Sequence, residues 1–129
     1  VNNWDLADLS ADKILGEFLA GKSVPDKKIL YSLAKSANMW ERRISIVATF
    51  AFIKRGKLED TFKISEMLLN DSHGLIHKAS GWMLREAGKR GKQELVEFLE
   101  KHCAEMPRTM LRYAIEKFSE KEKKKFMRK

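Results

Sequence analysis

The chain carries the same short basic motif twice, each time behind a stretch whose apolar residues have helical spacing. The motif is Lys54-Arg55-Gly56-Lys57, and it recurs 35 residues later as Lys89-Arg90-Gly91-Lys92. That period is the length of a two-helix hairpin, and such a hairpin cannot bury its apolar face alone. Hairpins of this kind become stable when they stack on one another. The repeat therefore predicts a stack of helical pairs.

Apolar spacing predicts helices along the rest of the chain as well. The predicted helices run from Ser10 to Gly21, from Pro25 through Ala34, over 39–54, 59–70, 75–88 and 93–103, and from Pro107 to Phe118. Only 2 Pro and 7 Gly occur in 129 residues, which argues against a turn-rich β fold. The predicted fold class is all-α, an α-solenoid of HEAT-like helical hairpin repeats with a concave face, in one domain over 1–129. A plain irregular helical bundle is the alternative.

The net charge of +8 comes from 26 Lys and Arg against 18 Asp and Glu. Much of it lies in the basic C-terminal end, 117–129, which we interpret as a solvated terminus. A nucleic-acid hypothesis must therefore rest on the body of the domain. No apolar run is long enough to span a bilayer, so no membrane partner is predicted. A single cysteine, Cys103, cannot form an internal disulfide, which favours a cytoplasmic protein.

The usual signatures of metal and covalent chemistry are not found in the sequence. His73 and His77 stand four residues apart but without the HExxH pattern or a cysteine cluster, so no metal site is predicted. There is no glycine-rich phosphate loop and no Gly-x-Ser-x-Gly elbow. His102 and Cys103 are adjacent and point to different helix faces, so Cys103 is interpreted as a core residue. No cofactor is predicted.

A set of aromatic and charged residues recurs at repeat spacing. Trp4 and Asp8 share one helix face, and Trp40 and Arg43 share another. Asp8 precedes Arg43 by one repeat length. Trp82 lies in the corresponding helix one repeat later. These residues can line one concave wall, with Trp40 as a core residue that supports Arg43. Alternatively, the tryptophans are all core and Asp8 is a helix-end acid.

Five segments stand in an order and at separations that are typical of one family. They are Asn3-Trp4-Asp5-Leu6-Ala7-Asp8, Trp40-Glu41-Arg42-Arg43-Ile44, Asp60-Thr61-Phe62, and the stretches 76–86 and 106–114. In these segments the sequence resembles the AlkD-type alkylpurine DNA glycosylases, which belong to the HEAT-like-repeat DNA glycosylases. The resemblance covers essentially the whole chain.

The resemblance implies hydrolysis of the N-glycosidic bond of N3- and N7-alkylated purines in duplex DNA, without metal or cofactor. The family's catalytic acid matches Asp8, its two aromatic walls match Trp4 and Trp82, and its arginine at the DNA backbone matches Arg43. Further backbone contacts are expected from basic residues that are otherwise interpreted as solvated surface charges. These are Lys78, Arg85, Arg108 and Arg112.

Elementary chemistry is consistent with those roles. An alkylated purine is already cationic, so it leaves with little protonation, and a carboxylate such as Asp8 can stabilise the oxocarbenium ion and orient water. Indole faces attract cations through their quadrupole. Two other functions stay open at this point: a non-catalytic DNA-binding relative and a protein-interaction scaffold.

Family members carry further helices before the first of these segments. The chain is therefore expected to be the C-terminal part of a longer protein, with residues 1–8 poorly anchored if it stands alone. A monomer is expected for the full-length protein, and a dimer through the exposed end repeat for a truncated chain.

Overall fold

The computed structural model describes residues 24–127, and all regular structure in that range is helical. The helices are α1 Val24–Ala34, α2 Met39–Val47, α3 Thr49–Lys54, α4 Glu59–Met67, α5 Gly74–Arg90, α6 Lys92–His102, α7 Arg108–Ala114 and α8 Glu120–Met127. The all-α prediction is confirmed over this range. The predicted helix from Ser10 to Gly21, together with Trp4 and Asp8, lies outside the described residues.

The predicted helix 39–54 is broken into α2 and α3 at Ala48. Two hydroxyl groups near the break donate to backbone carbonyls one turn earlier: Ser45 Oγ to Arg42 at 2.5 Å and Thr49 Oγ1 to Ile46 at 2.6 Å. A serine or threonine hydroxyl that donates to the carbonyl of the preceding turn bends a helix. The prediction of one continuous helix over 39–54 was therefore wrong because of these two side chains.

The two copies of the basic motif end their helices in different ways. In the first copy, Gly56 has φ +80°, and the N–H groups of Gly56 and Lys57 donate to Ile53 and Phe52, both at 2.9 Å. This is a Schellman ending, for which glycine is favoured. In the second copy, Gly91 has φ −148° and leads directly into α6. The repeat in sequence therefore marks equivalent helix ends but not equivalent turns.

The basic C-terminal end forms a helix that is packed through one residue and carries exposed cations. Ser119 Oγ accepts from Glu122 N at 3.2 Å, and the Glu122 carboxylate accepts from Ser119 N at 3.2 Å. This reciprocal pair is a capping box, which starts α8. Phe126 anchors α8 in the core with 3% of its surface exposed. Lys121, Lys124 and Lys125 are exposed, so the solvated interpretation holds for these cations but not for Phe126.

Two series of contacts can be followed through the described helices. In the first row α2 contacts α5, and α5 contacts α7. In the second row α1 contacts α4. The ring centroids of Phe62 and Phe98 lie 5.5 Å apart and connect α4 to α6. Lys92 of α6 forms an ion pair with Glu122 of α8 at 3.0 Å. The α5–α7 contact is the most extensive, and it is close enough that a Cβ atom on Gly81 would lie 2.6 Å from the Met110 carbonyl oxygen. We call α2, α3, α5 and α7 the first row and α1, α4, α6 and α8 the second row.

The apolar residues form two core clusters, and α5 contributes to both. Ile76, Ala79 and Met83 lie in the cluster shared with α1 to α4, whereas Leu84 lies in the cluster shared with α6 to α8. Cys103 is buried in the second cluster, which confirms its interpretation as a core residue.

Candidate nucleic-acid interface

One side of α5 combines an indole with three cations. Four residues are spaced at intervals of four, three and four, which places them along a single helix face. They are Lys78, Trp82, Arg85 and Lys89. Lys78 and Lys89 are exposed, whereas Trp82 and Arg85 are half-buried. We call these four residues the α5 basic face. Ile76, Ala79 and Met83, which are buried in the first cluster, lie on the other side of the helix, and Trp82 also packs against that cluster.

Trp82 is supported by a second aromatic residue that the sequence analysis missed. The Trp82 and Phe50 ring centroids lie 6.0 Å apart with the planes inclined at 46°. Phe50 is itself half-buried, and the Lys54 ammonium lies 4.6 Å from its ring centroid. The signal in the sequence was the i, i+4 pair of Phe50 and Lys54 at the end of an apolar helix. Together these residues extend the α5 basic face onto α3.

Arg43 is buried, with only 2% of its surface exposed. Its Nη1 donates to the carbonyl oxygen of Leu75, in the first turn of α5, at 2.7 Å. The preceding residue, Arg42, pairs through Nε with Asp71 at 2.6 Å, just before α5. Two successive arginines thus fasten α2 to the start of α5. This burial differs from the open phosphate fork that the resemblance led us to expect, and a phosphate contact by Arg43 stays a prediction.

Trp40 is half-buried rather than fully buried, so its interpretation as a core residue was wrong in degree. It stands in the first turn of α2, where its backbone N–H donates to the Asn38 side chain at 2.8 Å.

The four predicted backbone-contact residues fall into two groups. Lys78 and Arg112 are exposed, and within 24–127 neither makes a hydrogen bond or an ion pair. Arg85 pairs with Glu116 at 2.6 Å and with Glu86 at 3.3 Å. Arg108 donates to the Met127 carbonyl oxygen at 2.7 Å, at the end of α8. A phosphate would therefore meet Lys78 and Arg112 without breaking an existing interaction.

Asp60 belongs to one of the five family segments, and the structure shows what it holds. It is 7% exposed and accepts a hydrogen bond from the Tyr31 hydroxyl at 2.5 Å, which links α4 to α1. Burial, and then the hydrogen bond to Asp60, raise the pKa of Tyr31 far above its usual value. Tyr31 is therefore a neutral donor at any physiological pH.

The two histidines that the sequence analysis considered for a metal do not form a ligand cluster. Within the described part of the chain, no group of three His, Cys, Asp or Glu side chains is placed to hold an ion. His77 Nε2 instead hydrogen-bonds to the Asp71 carbonyl oxygen. No described helix is long and apolar enough to cross a bilayer.

The described residues thus define an all-helical protein with an aromatic and cationic surface on its first row. Residues 1–118 match the family model described as "DNA alkylation repair enzyme", so the chain belongs to that family. No curated protein matches the chain. Family membership indicates a role in DNA repair, with DNA as the partner.

Proposed function

We propose that this protein is a DNA glycosylase that hydrolyses the N-glycosidic bond of cationic N3- and N7-alkylated purines in duplex DNA. The observation that carries the proposal is the half-buried Trp82 on the α5 basic face of a chain that belongs to the DNA alkylation repair family. An indole flanked by cations suits this substrate, because a cationic base favours an aromatic face while its phosphates favour lysine and arginine.

In this proposal the two rows form a HEAT-like solenoid. The first row supplies the concave face, and duplex DNA lies along it. Lys78 and Arg112 bind phosphates first, since both are free of internal hydrogen bonds and ion pairs within 24–127. Arg85 and Arg108 join them by exchanging an internal partner for a phosphate. Phosphate contacts of this kind fix the register of the duplex without reading its sequence.

The chemical step is a heterolysis of the bond between the alkylated base and C1′ of the deoxyribose. The bonding electrons leave with the base, which becomes neutral, and positive charge develops on the sugar as an oxocarbenium ion. We assign the stabilising carboxylate to Asp8, which also orients the water that adds to C1′. Trp4 and Trp82 flank the cation with their electron-rich faces, each contributing about 0.5–2 kcal/mol. The family needs no metal or cofactor for this step, and none is proposed.

Arg43 enters the proposal in two ways. The bond to Leu75 holds the start of α5, the helix that carries Trp82, in place against α2. The phosphate contact that the resemblance implies is proposed for the same guanidinium, whose planar fork suits a phosphate better than an ammonium.

The deciding experiment measures release of 7-methylguanine from methylated duplex DNA by this protein. We expect release by the unaltered protein and none by Asp8→Asn. Trp82→Ala is expected to reduce release by about 2- to 30-fold, because removing one cation–π contact costs about 0.5–2 kcal/mol. Met67→Ala, which truncates an exposed apolar side chain on α4, is the matched control and should leave release unchanged.

The outcome also separates the two alternatives. Duplex binding without base release would indicate a non-catalytic DNA-binding protein. Absence of duplex binding at low salt would instead indicate a protein-interaction scaffold. Release that survives Asp8→Asn would show that the carboxylate is misassigned.

A further inference from the structure

A groove lies on the second row, between α4 and α6. It has a volume of about 360 Å³. Its floor is aromatic: the Phe62 and Phe98 ring centroids are 5.5 Å apart, and the His102 ring lies 4.7 Å from Phe98. Charged residues on the two helices form its rim. They are Glu59, Glu66, Glu94, Glu97, Lys63 and Lys101.

The rim is acidic on a chain whose net charge is +8. Glu59 is paired with Lys63 at 2.6 Å, and Glu66 with His102 Nε2 at 2.9 Å. Glu94 and Glu97 are exposed and make no ion pair within 24–127. Lys101 makes no ion pair in that range either, so the four glutamates and the two lysines of the rim leave an excess of two negative charges beside an apolar floor.

The negative charge of the groove rim excludes duplex DNA, the ligand proposed for the first row. Phosphates are repelled by carboxylates, and α4 and α6 do not carry the α5 basic face. An apolar floor with an acidic rim has the complementary surface for a cationic peptide that also presents a bulky apolar side chain.

We propose that this groove, which we call the α4–α6 groove, docks a lysine- or arginine-rich segment of a protein partner. One leucine or aromatic side chain of that segment packs on Phe62 and Phe98, and its cations pair with Glu94 and Glu97. The interaction goes beyond DNA repair chemistry and does not require DNA. Because the two surfaces belong to different rows, the peptide and a duplex are expected to bind together.

The probe is a fluorescein-labelled peptide of alternating lysine and leucine, and the readout is anisotropy on the complete chain without DNA. We expect saturable binding that weakens about tenfold in Glu94→Gln/Glu97→Gln, because each exposed ion pair contributes up to about 1 kcal/mol. The matched control is Glu105→Gln/Glu120→Gln, which removes two exposed carboxylates outside the groove and should leave the affinity unchanged. A peptide with serine in place of leucine should bind at least tenfold more weakly.

Several results would overturn the proposal. They are no saturable binding, equal weakening in both double variants, or equal affinity for the serine peptide. Sedimentation that shows self-association abolished by Glu94→Gln/Glu97→Gln would identify the occupant as a second copy of the chain instead. Peptide binding is measured without DNA, so its failure is distinct from a failure of the glycosylase proposal.

Discussion

At the scale of single residues, polar contacts buried between helices decide where the functional side chains stand. The Tyr31–Asp60 hydrogen bond and the Arg43–Leu75 hydrogen bond each join two helices that are distant in sequence. A buried acceptor without its donor retains the cost of its desolvation. These hydrogen bonds therefore allow sharp tests by substitution.

Tyr31→Phe is expected to lower the free energy of unfolding by about 1.5–3 kcal/mol at pH 7, the range for a hydrogen bond to a charged group. The raised pKa of Tyr31 adds a pH dependence. The folded state retains the hydroxyl proton more tightly than the unfolded state does. The contribution of the Tyr31 hydroxyl to the free energy of unfolding is therefore complete below the unfolded pKa of about 10. It is lost as the pH rises above that value.

Urea unfolding at pH 7 and at pH 11 checks this expectation. The unaltered protein should lose more stability between the two conditions than Tyr31→Phe does. An equal decrease in both proteins would show that the bond does not form in solution.

Arg43→Lys is expected to destabilise the protein by about 1–3 kcal/mol, because an ammonium cannot reproduce the planar fork that reaches the Leu75 carbonyl oxygen. Thermal unfolding measures this effect, with Arg55→Lys at an exposed position as the control. Unchanged stability would mean that the hydrogen bond to α5 is dispensable and that Arg43 is retained for its ligand alone.

At the scale of elements, the α5–α7 contact depends on the absence of a side chain at one position. In Gly81→Ala the new methyl group would lie 2.6 Å from both the Met110 carbonyl oxygen and Tyr113 Cβ. The backbones must then separate, and overpacking of this kind costs about 1–3 kcal/mol although alanine favours helices. Thermal unfolding tests it against Gly74→Ala, where nothing lies within 4 Å of the added Cβ atom.

The start of α8 provides a second test at this scale. Ser119→Ala removes the capping box and is expected to cost about 1 kcal/mol.

Hydrogen bonds from Lys92 and from the Ser119 backbone lower the pKa of Glu122. The contribution of the Glu122 carboxylate to folded-state stability is therefore present above the unfolded pKa of about 4.3. It disappears as the pH falls through the lower pKa of the folded state. Far-ultraviolet circular dichroism between pH 7 and pH 2 should show partial loss of helix in the unaltered protein and a smaller change in Ser119→Ala.

Helical content could be predicted from the sequence, and so could the helix ends at Gly56 and Gly91, because apolar spacing and glycine act locally. The break at Ala48 follows from hydroxyl groups whose effect depends on their rotamers. The Phe50–Trp82 contact and the burial of Arg43 join residues of different helices, and local spacing cannot supply such contacts. For α8, the Ser119–Glu122 capping box was present in the sequence, but the segment was interpreted from its charge alone and no helix was predicted there.

At the scale of the whole molecule, two surfaces differ in the sign of their charge. The α5 basic face and Arg112 lie on the first row, whereas the α4–α6 groove is acidic. Lys78→Ala/Arg112→Ala is expected to weaken duplex binding uniformly across DNA sequences. It should also lower the slope of log affinity against log salt by about 0.9 for each phosphate that the protein no longer neutralises.

Fluorescence anisotropy with a labelled duplex at several salt concentrations gives that slope. Lys63→Ala/Lys101→Ala removes two lysines from the groove rim and serves as a control of equal charge. If both variants change the slope equally, the duplex is attracted by net charge alone and has no defined path along the first row.

Because α5 supplies side chains to both core clusters, neither half of the described region can lose its packing while the other stays intact. Unfolding of this region is then a single concerted event rather than a progressive peeling from one end. The backbone amides in the middle of Gly74–Arg90 should be the last to exchange with deuterium, and their opening free energy should equal that of global denaturation.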